Sequence, residues 1–554
     1  MIRNILYVFI FLFGGLLFGC QQSDTLTEVE QWTTYEITLK SEVQLGNPYM
    51  DVDVYATFIS SSGDTLVRPG FWYEDNTWKI RFAPPAANET YRWETFTNNP
   101  SPGLSGKKGQ ITSIQYSGNN QLLKKGFLTM SPGKRNVVHQ DGSPFLMIGD
   151  TPWALPFRGT VETVNQYAED RRSKGYNTAL LMSIQPDRLA EGPDSRLEDY
   201  GFGKAFYDLK DKHITQMNPA YFQTLDTLVG ILFEHEIVPV FQPVFQGFGW
   251  KGQDAFGRST VPEEYIRYTK YVLARYGSIP AMYLVSADGM GKEPGIKESG
   301  EMLAQWDCYE QPRGIHYSPA DDYVPDWHQG NTEDYFKHRN MSYQAEPWLN
   351  FQWCQTGHGG QHLLEKVEKM YHNKPTKAVA NGEPTYERIG DPNNSTGWWQ
   401  GDEAWSQIMS GGTMGVVYGA AGVWNWKLRT EEPGFPDWST TNASAVEAIK
   451  FEGSKYPGLL GKAFKGYDIV DMELGEELSN GHKMLFKQDK FYASYLPEGG
   501  EITIRNLKKG LPIRFYDPKV GTFTESGKVE AEEQSFVAPD NGPWVIMIGE
   551  KIGN

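Results

Sequence analysis

Cysteine, positive charge and long apolar runs are all scarce in this chain, and each shortage removes a class of function. Three cysteines in 554 residues, Cys20, Cys308 and Cys354, exclude a disulfide-stapled scaffold. Acidic residues outnumber basic ones, 69 against 52, giving a formal net charge of −17, the opposite of what a nucleic-acid partner requires. The apolar run Ile5 to Phe18 is too short to span a membrane comfortably as a permanent helix. There is no Gly-x-Ser-x-Gly elbow and no glycine-rich phosphate loop, and His235-Glu236 lacks the second histidine of a zinc protease signature. Internal repeats and low-complexity tracts are absent as well.

What is present begins with an export signal. Arg3 precedes the apolar run, which ends in Leu17-Phe18-Gly19-Cys20 before the polar Gln21-Gln22-Ser23-Asp24. This resembles a bacterial lipobox, and implies that Cys20 becomes the lipidated first residue of an exported protein. The expected location is the cell envelope, on the periplasmic or surface side of an outer membrane, with the lipid as the sole membrane contact. Phe18 is bulkier than usual at its position, so a plain cleaved signal is the other reading. Residues 1–20 are then signal and 21–30 a tether. Cys308 and Cys354 remain, either paired in an oxidising compartment or as two separate buried thiols.

Residues 31–118 alternate with period two, as in Asp51 to Phe58 and Thr77 to Phe82, punctuated by Gly63-Asp64, Asn76 and Pro84-Pro85. That spacing predicts an immunoglobulin-like β-sandwich. From 119 to 465 strand and helix signals alternate instead. Eight apolar runs follow in order, beginning at Phe145, Thr178, Ile237, Ala281, Gly314, Trp348, Lys377 and Val416. Thr160 and Pro262 mark helix starts between them. Gly149-Asp150-Thr151-Pro152 supplies no phosphate turn after the first strand, which argues against a doubly wound sheet. The reading is an α/β chain built on a (β/α)8 barrel. A helical segment from about 443 to 460 closes it, and residues 466–554 return to alternation as a second, small β-sandwich.

Two of these runs end in carboxylates, Asp288 on the fourth and Glu383 on the seventh. In a barrel of parallel strands both acids rise from the C-terminal rim, where such barrels do chemistry. Two facing acids in an aromatic cleft are what glycosidic bond cleavage requires. The 17 Trp, 30 Tyr and 29 Phe supply flat faces for sugar rings; Trp398, Trp399, Trp424 and Trp426 are candidate walls. The remaining rim candidates for binding sugar hydroxyls are Asp150, Trp153, Gln185, Gln242, Gln246, His316, Tyr317, Gln352, Trp353 and Glu387. Asp288 could instead cap a helix, with Glu293 as the substitute acid; Glu383 could form a structural ion pair, with Glu387 as its rival. His358 and His362 are spaced i,i+4, but Gly359-Gly360 between them argues against a helical metal site. No metal and no cofactor is expected.

The motifs Asp141-Gly142-Ser143-Pro144-Phe145, Gly149-Asp150-Thr151-Pro152-Trp153, Ser286-Ala287-Asp288-Gly289 and Asn381-Gly382-Glu383-Pro384-Thr385-Tyr386-Glu387 carry a family likeness. The barrel resembles the apiosidase-like glycoside hydrolases of Bacteroidetes type. Asn47-Pro48 to Asp53, Pro69-Gly70-Phe71-Trp72 and Trp78 to Pro84 are similar to the sandwich that often precedes such barrels. The C-terminal segment looks like a module that carries a collagen-binding label in that family. The resemblance implies that Asp288 is the acid/base and Glu383 the nucleophile. Many sugar-cleaving barrels place Asn-Glu at the fourth strand; Ala287-Asp288 departs from that pattern. The expectation is an exported hydrolase, exo-acting and retaining, working on plant or algal polysaccharide side chains. The alternative is a catalytically inactive glycan-binding surface lipoprotein, against which the presence of both acids speaks. A polysaccharide lyase would want a Tyr or Lys base and a cation, for which no motif is seen.

Overall fold

The computed structural model describes residues 27–99, 101–186, 192–247, 257, 260–318, 341–389, 395–432 and 443–552. Cys20 and the expected export signal lie outside the described residues. Eight parallel strands form the centre: β1 Met147–Asp150, β2 Thr178–Met182, β3 Val238–Gln242, β4 Met282–Gly289, β5 Arg313–Tyr317, β6 Phe351–Gln355, β7 Ala378–Glu383 and β8 Gly415–Tyr418. They pair in sequence order from β1 to β7, with β8 beside β1. Backbone hydrogen bonds from Met414 N to Val379 O (3.0 Å) and from Glu387 N to Gly419 O (2.8 Å) bridge β7 to the β8 segment and close the ring. Every residue of these eight strands is buried, which is why they read as continuous apolar runs.

Helices pack around the ring: α1 Val161–Lys174, α2 Pro219–Glu234, α3 Pro262–Tyr276, α4 Ile296–Trp306, α5 Leu364–His372, α6 Trp398–Met409 and α7 Tyr456–Phe464. Thr160 caps α1 in a reciprocal pair with Thr163, and Gly175, at φ 91°, ends it in left-handed backbone. Prolines open α2 and α3, where a missing N–H removes no helical bond. The expected eighth strand, Val416 to Trp424, is shorter than read: it stops at Tyr418, because the 420–427 segment turns on itself.

A seven-stranded sheet precedes the barrel and encloses its own core, with Phe58, Trp78, Ile80 and Phe82 at its centre. Two details differ from the sequence reading. Thr27–Glu30, assigned to the tether, is a strand paired parallel to Lys108–Ile114. Asp51 ends a one-turn helix, Pro48–Asp51, capped by Asn47, so the strand begins only at Val54. The sheet is bolted to the barrel helices by charge: Arg81 and Arg275 share the Asp226 carboxylate, at 2.9 and 2.7 Å.

After α7 the chain forms a six-stranded sheet and a two-stranded one. The strand Phe491–Leu496 shows how the first is used. Phe491, Ala493 and Tyr495 join the barrel's core, whereas Tyr492 and Leu496 join a separate core with Ile502 and Phe536. Period-two alternation thus serves two apolar faces at once. Cys308 and Cys354 are separate free thiols, and burial pushes each up to about 12.

Candidate active site

Asp288 is the penultimate residue of β4 and Glu383 the last of β7. Both strands break regular pairing beside their acid. Cys354 pairs with Asn381 and Gln355 with Glu383, leaving Gly382 as an extra residue. Along β4 the register slips between Leu284 and Ser286 and again between Ser286 and Gly289. A bulge ends pairing and re-aims the side chain next to it. Asp288 also has φ 55°, left-handed backbone that costs a non-glycine residue about 1 kcal/mol or more and clusters at functional sites. Asp288 is 5% exposed and Glu383 9%, so both acids are largely shielded from solvent.

One imidazole joins the pair. The Asp288 amide donates to His316 Nδ1 at 3.2 Å, and His316 Nε2 lies 3.7 Å from Glu383 Oε2. Since Nδ1 accepts, the proton of the neutral ring sits on Nε2, facing Glu383. Burial pushes His316 down to about 4, with the Glu383 carboxylate pulling the other way, so the ring is neutral across the physiological range. His358, in the loop after β6, approaches the other oxygen: its Nε2 is 3.4 Å from Glu383 Oε1, while its Nδ1 accepts from Tyr386 N at 3.3 Å. The Tyr386 hydroxyl accepts from Trp153 Nε1 at 2.7 Å and sits against Glu383; burial first, then that negative charge, holds it well above its ordinary value.

The surrounding side chains fix the backbone on which the acids stand. Gln246 accepts from Ala287 N at 3.0 Å and donates to Tyr265 at 3.1 Å, and Gln242 donates to Ala287 O at 3.4 Å. A Cβ at Gly247 would come within 2.1 Å of Asp288 Oδ2, and one at Gly382 within 2.6 Å of the His316 ring; both glycines are needed for close approach. Asn381 accepts from Glu383 N at 3.2 Å and donates to Thr356 at 2.8 Å. Thr356 in turn meets Glu403 at 3.5 Å, a carboxyl that burial holds well above the usual range.

Of the candidates for sugar binding, the structure gathers Trp153, His316, Gln242 and Gln246 around the acids, and buries Gln185 just past the end of β2. Several others are placed elsewhere. Asp150 is fully buried in an ion pair with Arg171 Nε at 2.5 Å, tying β1 to α1. Glu387 accepts from Tyr418 at 2.6 Å, Gly397 N at 3.0 Å and Gly453 N at 3.1 Å, a brace that leaves its carboxylate no open side. Tyr317 donates to Gln352 at 2.7 Å, and Gln352 to Ser342 O at 3.0 Å, supporting the segment that leads into β6. Trp353 stacks on Phe351 at 4.6 Å, and Trp426 meets Tyr167 of α1 at 5.4 Å; both are core. Trp424 is buried, with its carbonyl accepting from Ala154 N. Glu293 accepts from Met290 N at 2.5 Å, within the turn that follows Asp288. The sequence reading missed His358 and Tyr386 as neighbours of Glu383. Tyr386 lies three residues after Glu383 in the stretch Asn381 to Glu387, whereas the only sequence signal at His358 is its i,i+4 spacing to His362.

A family model described as the apiosidase-like catalytic domain matches residues 131–471, and a domain of unknown function, DUF5060, matches residues 28–98. No curated protein sequence matches the chain. Among solved structures, a Bacteroides vulgatus protein provisionally described as a glycoside hydrolase superposes with a TM-score of 0.67 at 18% identity, covering 95% of this chain and 100% of that one. A second Bacteroides vulgatus structure, described as glycoside hydrolase family 5, gives a TM-score of 0.57 at 17% identity over 77% and 94% of the two chains. These likenesses show a shared fold, and the family model spans more than half of the chain. The chain therefore belongs to the apiosidase-like family and is a glycoside hydrolase.

Proposed function

We propose that the protein is an exported, lipid-anchored, retaining glycoside hydrolase that removes terminal sugars from plant or algal polysaccharide side chains, flanked by two β-sandwiches. The observation that supports the pairing of Asp288 with Glu383 is His316, a single ring that accepts from the Asp288 backbone amide and faces the Glu383 carboxylate. A retaining pair stands about 5 to 5.5 Å apart, and an inverting pair leaves room for water.

In the first step a Glu383 oxygen attacks the anomeric carbon, the bond to the leaving oxygen breaks, and Asp288 delivers its proton to that oxygen. In the second, Asp288 takes a proton from water, whose oxygen attacks the same carbon and releases Glu383. His316, His358 and Tyr386 surround Glu383, with the two imidazole Nε2 atoms 3.7 and 3.4 Å from its oxygens.

The test is Glu383→Gln on a panel of plant and algal polysaccharides, with released sugar and its first-formed anomer read by NMR. Wild type should release a sugar of retained configuration, and the variant should lose at least about 10³-fold in rate while still binding. Unchanged release from the variant overturns the assignment. Binding without release by wild type would favour an inactive glycan-binding protein.

A further inference from the structure

The loop after β6 carries two histidines that face different partners. His358 addresses Glu383, and four residues on, His362 Nε2 lies 2.7 Å from Asp402 Oδ2, on α6. The His362 ring also leans on Trp399 at 4.8 Å. The other Asp402 oxygen, Oδ1, accepts from the hydroxyl of Tyr495, which belongs to the C-terminal strand Phe491–Leu496. A single carboxylate thus holds the rim loop on one side and the C-terminal sheet on the other. Burial works against its charge, and the hydrogen bonds from His362 and Tyr495 outweigh it, holding Asp402 below the usual carboxylate range.

The loop needs such a hold. Gly357 at φ 74°, Gly360 at φ 69° and Leu363 at φ 44° are all left-handed, and two glycines leave a chain many alternatives to lose. Thr385 anchors its start through Gly357 O at 3.3 Å; the His362–Asp402 bond anchors its end. Tyr495 is itself well fixed, paired with Val545 in the sheet and stacked on Trp405 at 6.0 Å.

We propose that Tyr495, Asp402 and His362 are positioning residues through which the C-terminal domain sets His358 against Glu383. The proposal rests on reading Glu383 as the nucleophile, and assigns that domain a part in catalysis rather than in binding another macromolecule.

The experiment uses the full chain with ¹³C-labelled histidine rings, His358 and His362 being assigned by His358→Gln and His362→Gln. Tyr495→Phe keeps the stacked ring and removes only the hydroxyl. It should move the His362 and His358 ring signals together and lower kcat about tenfold, with KM within about twofold, on whatever polysaccharide wild type cleaves. Asp402→Asn should do the same. Thr503→Ala, on the two-stranded sheet away from this contact, should change neither. Folded Tyr495→Phe and Asp402→Asn proteins whose His358 signal coincides with wild type overturn the proposal. If Tyr495→Phe does not fold, Asp402→Asn and His362→Gln decide it by the same signal. Should Glu383→Gln keep its activity while the His358 signal still follows Tyr495, the nucleophile assignment fails and the interdomain tie stands.

Discussion

His316 is the residue on which the pocket's pH behaviour turns. Its ordinary value is about 6.5, and burial brings it to about 4 in the folded protein. Between those values the unfolded chain binds a proton that the native ring refuses, so stability falls as pH drops through this window and the loss is complete below 4. His316→Asn keeps an acceptor for the Asp288 amide and removes the titration. Its unfolding free energy should decline by about 3 kcal/mol less than wild type between pH 6.5 and 4; equal declines in parallel denaturant titrations would refute this. His316 is legible in the sequence as one polar residue on a strand end, but not as the ring between the Asp288 amide and the Glu383 carboxylate, since that link depends on two bulges.

At the scale of elements, the order of strands and helices was legible because buried parallel strands must be apolar throughout and helix starts announce themselves by Thr160 and Pro262. Which polar residues face the pocket was less so. Asp150 ends a barrel strand as a catalytic residue would, yet it pairs with Arg171, 21 positions on and fully buried in α1. Nothing in the local pattern distinguishes those two uses of an aspartate. Arg171 is further surrounded by the rings of Tyr167, Tyr176 and Tyr418, at 5.0 to 5.5 Å. Removing one partner of a buried pair leaves an uncompensated charge and costs about 3 to 5 kcal/mol. Arg171→Ala should therefore lower the melting temperature sharply, seen by calorimetry, and a shift within error of wild type would mean that the pair contributes little. The bracing role of Glu387 is hidden for the same reason: its partners, Gly397, Tyr418 and Gly453, come from three separate segments.

Across the whole molecule, the boundary near residue 466 marks a change of pattern but not a gap in packing. Trp405 of α6 is fully buried and stacks on Phe464 at 5.7 Å and on Tyr495 at 6.0 Å. Tyr516 donates to Leu459 O at 2.6 Å, and Leu474 N donates to Tyr371 at 3.0 Å. Deleting residues 466–554 should uncover this apolar surface and yield a chain that aggregates or melts without cooperativity, checked by gel filtration and near-ultraviolet dichroism. A soluble, cooperatively folding truncation would show that the barrel stands alone. Period-two alternation announced the C-terminal strands; it could not announce that both of their faces would be covered, because the second cover comes from helices. Anyone wishing to graft this module onto a different enzyme would have to transplant α6 and α7 with it, for the seam runs through the middle of a shared interior and not along a linker.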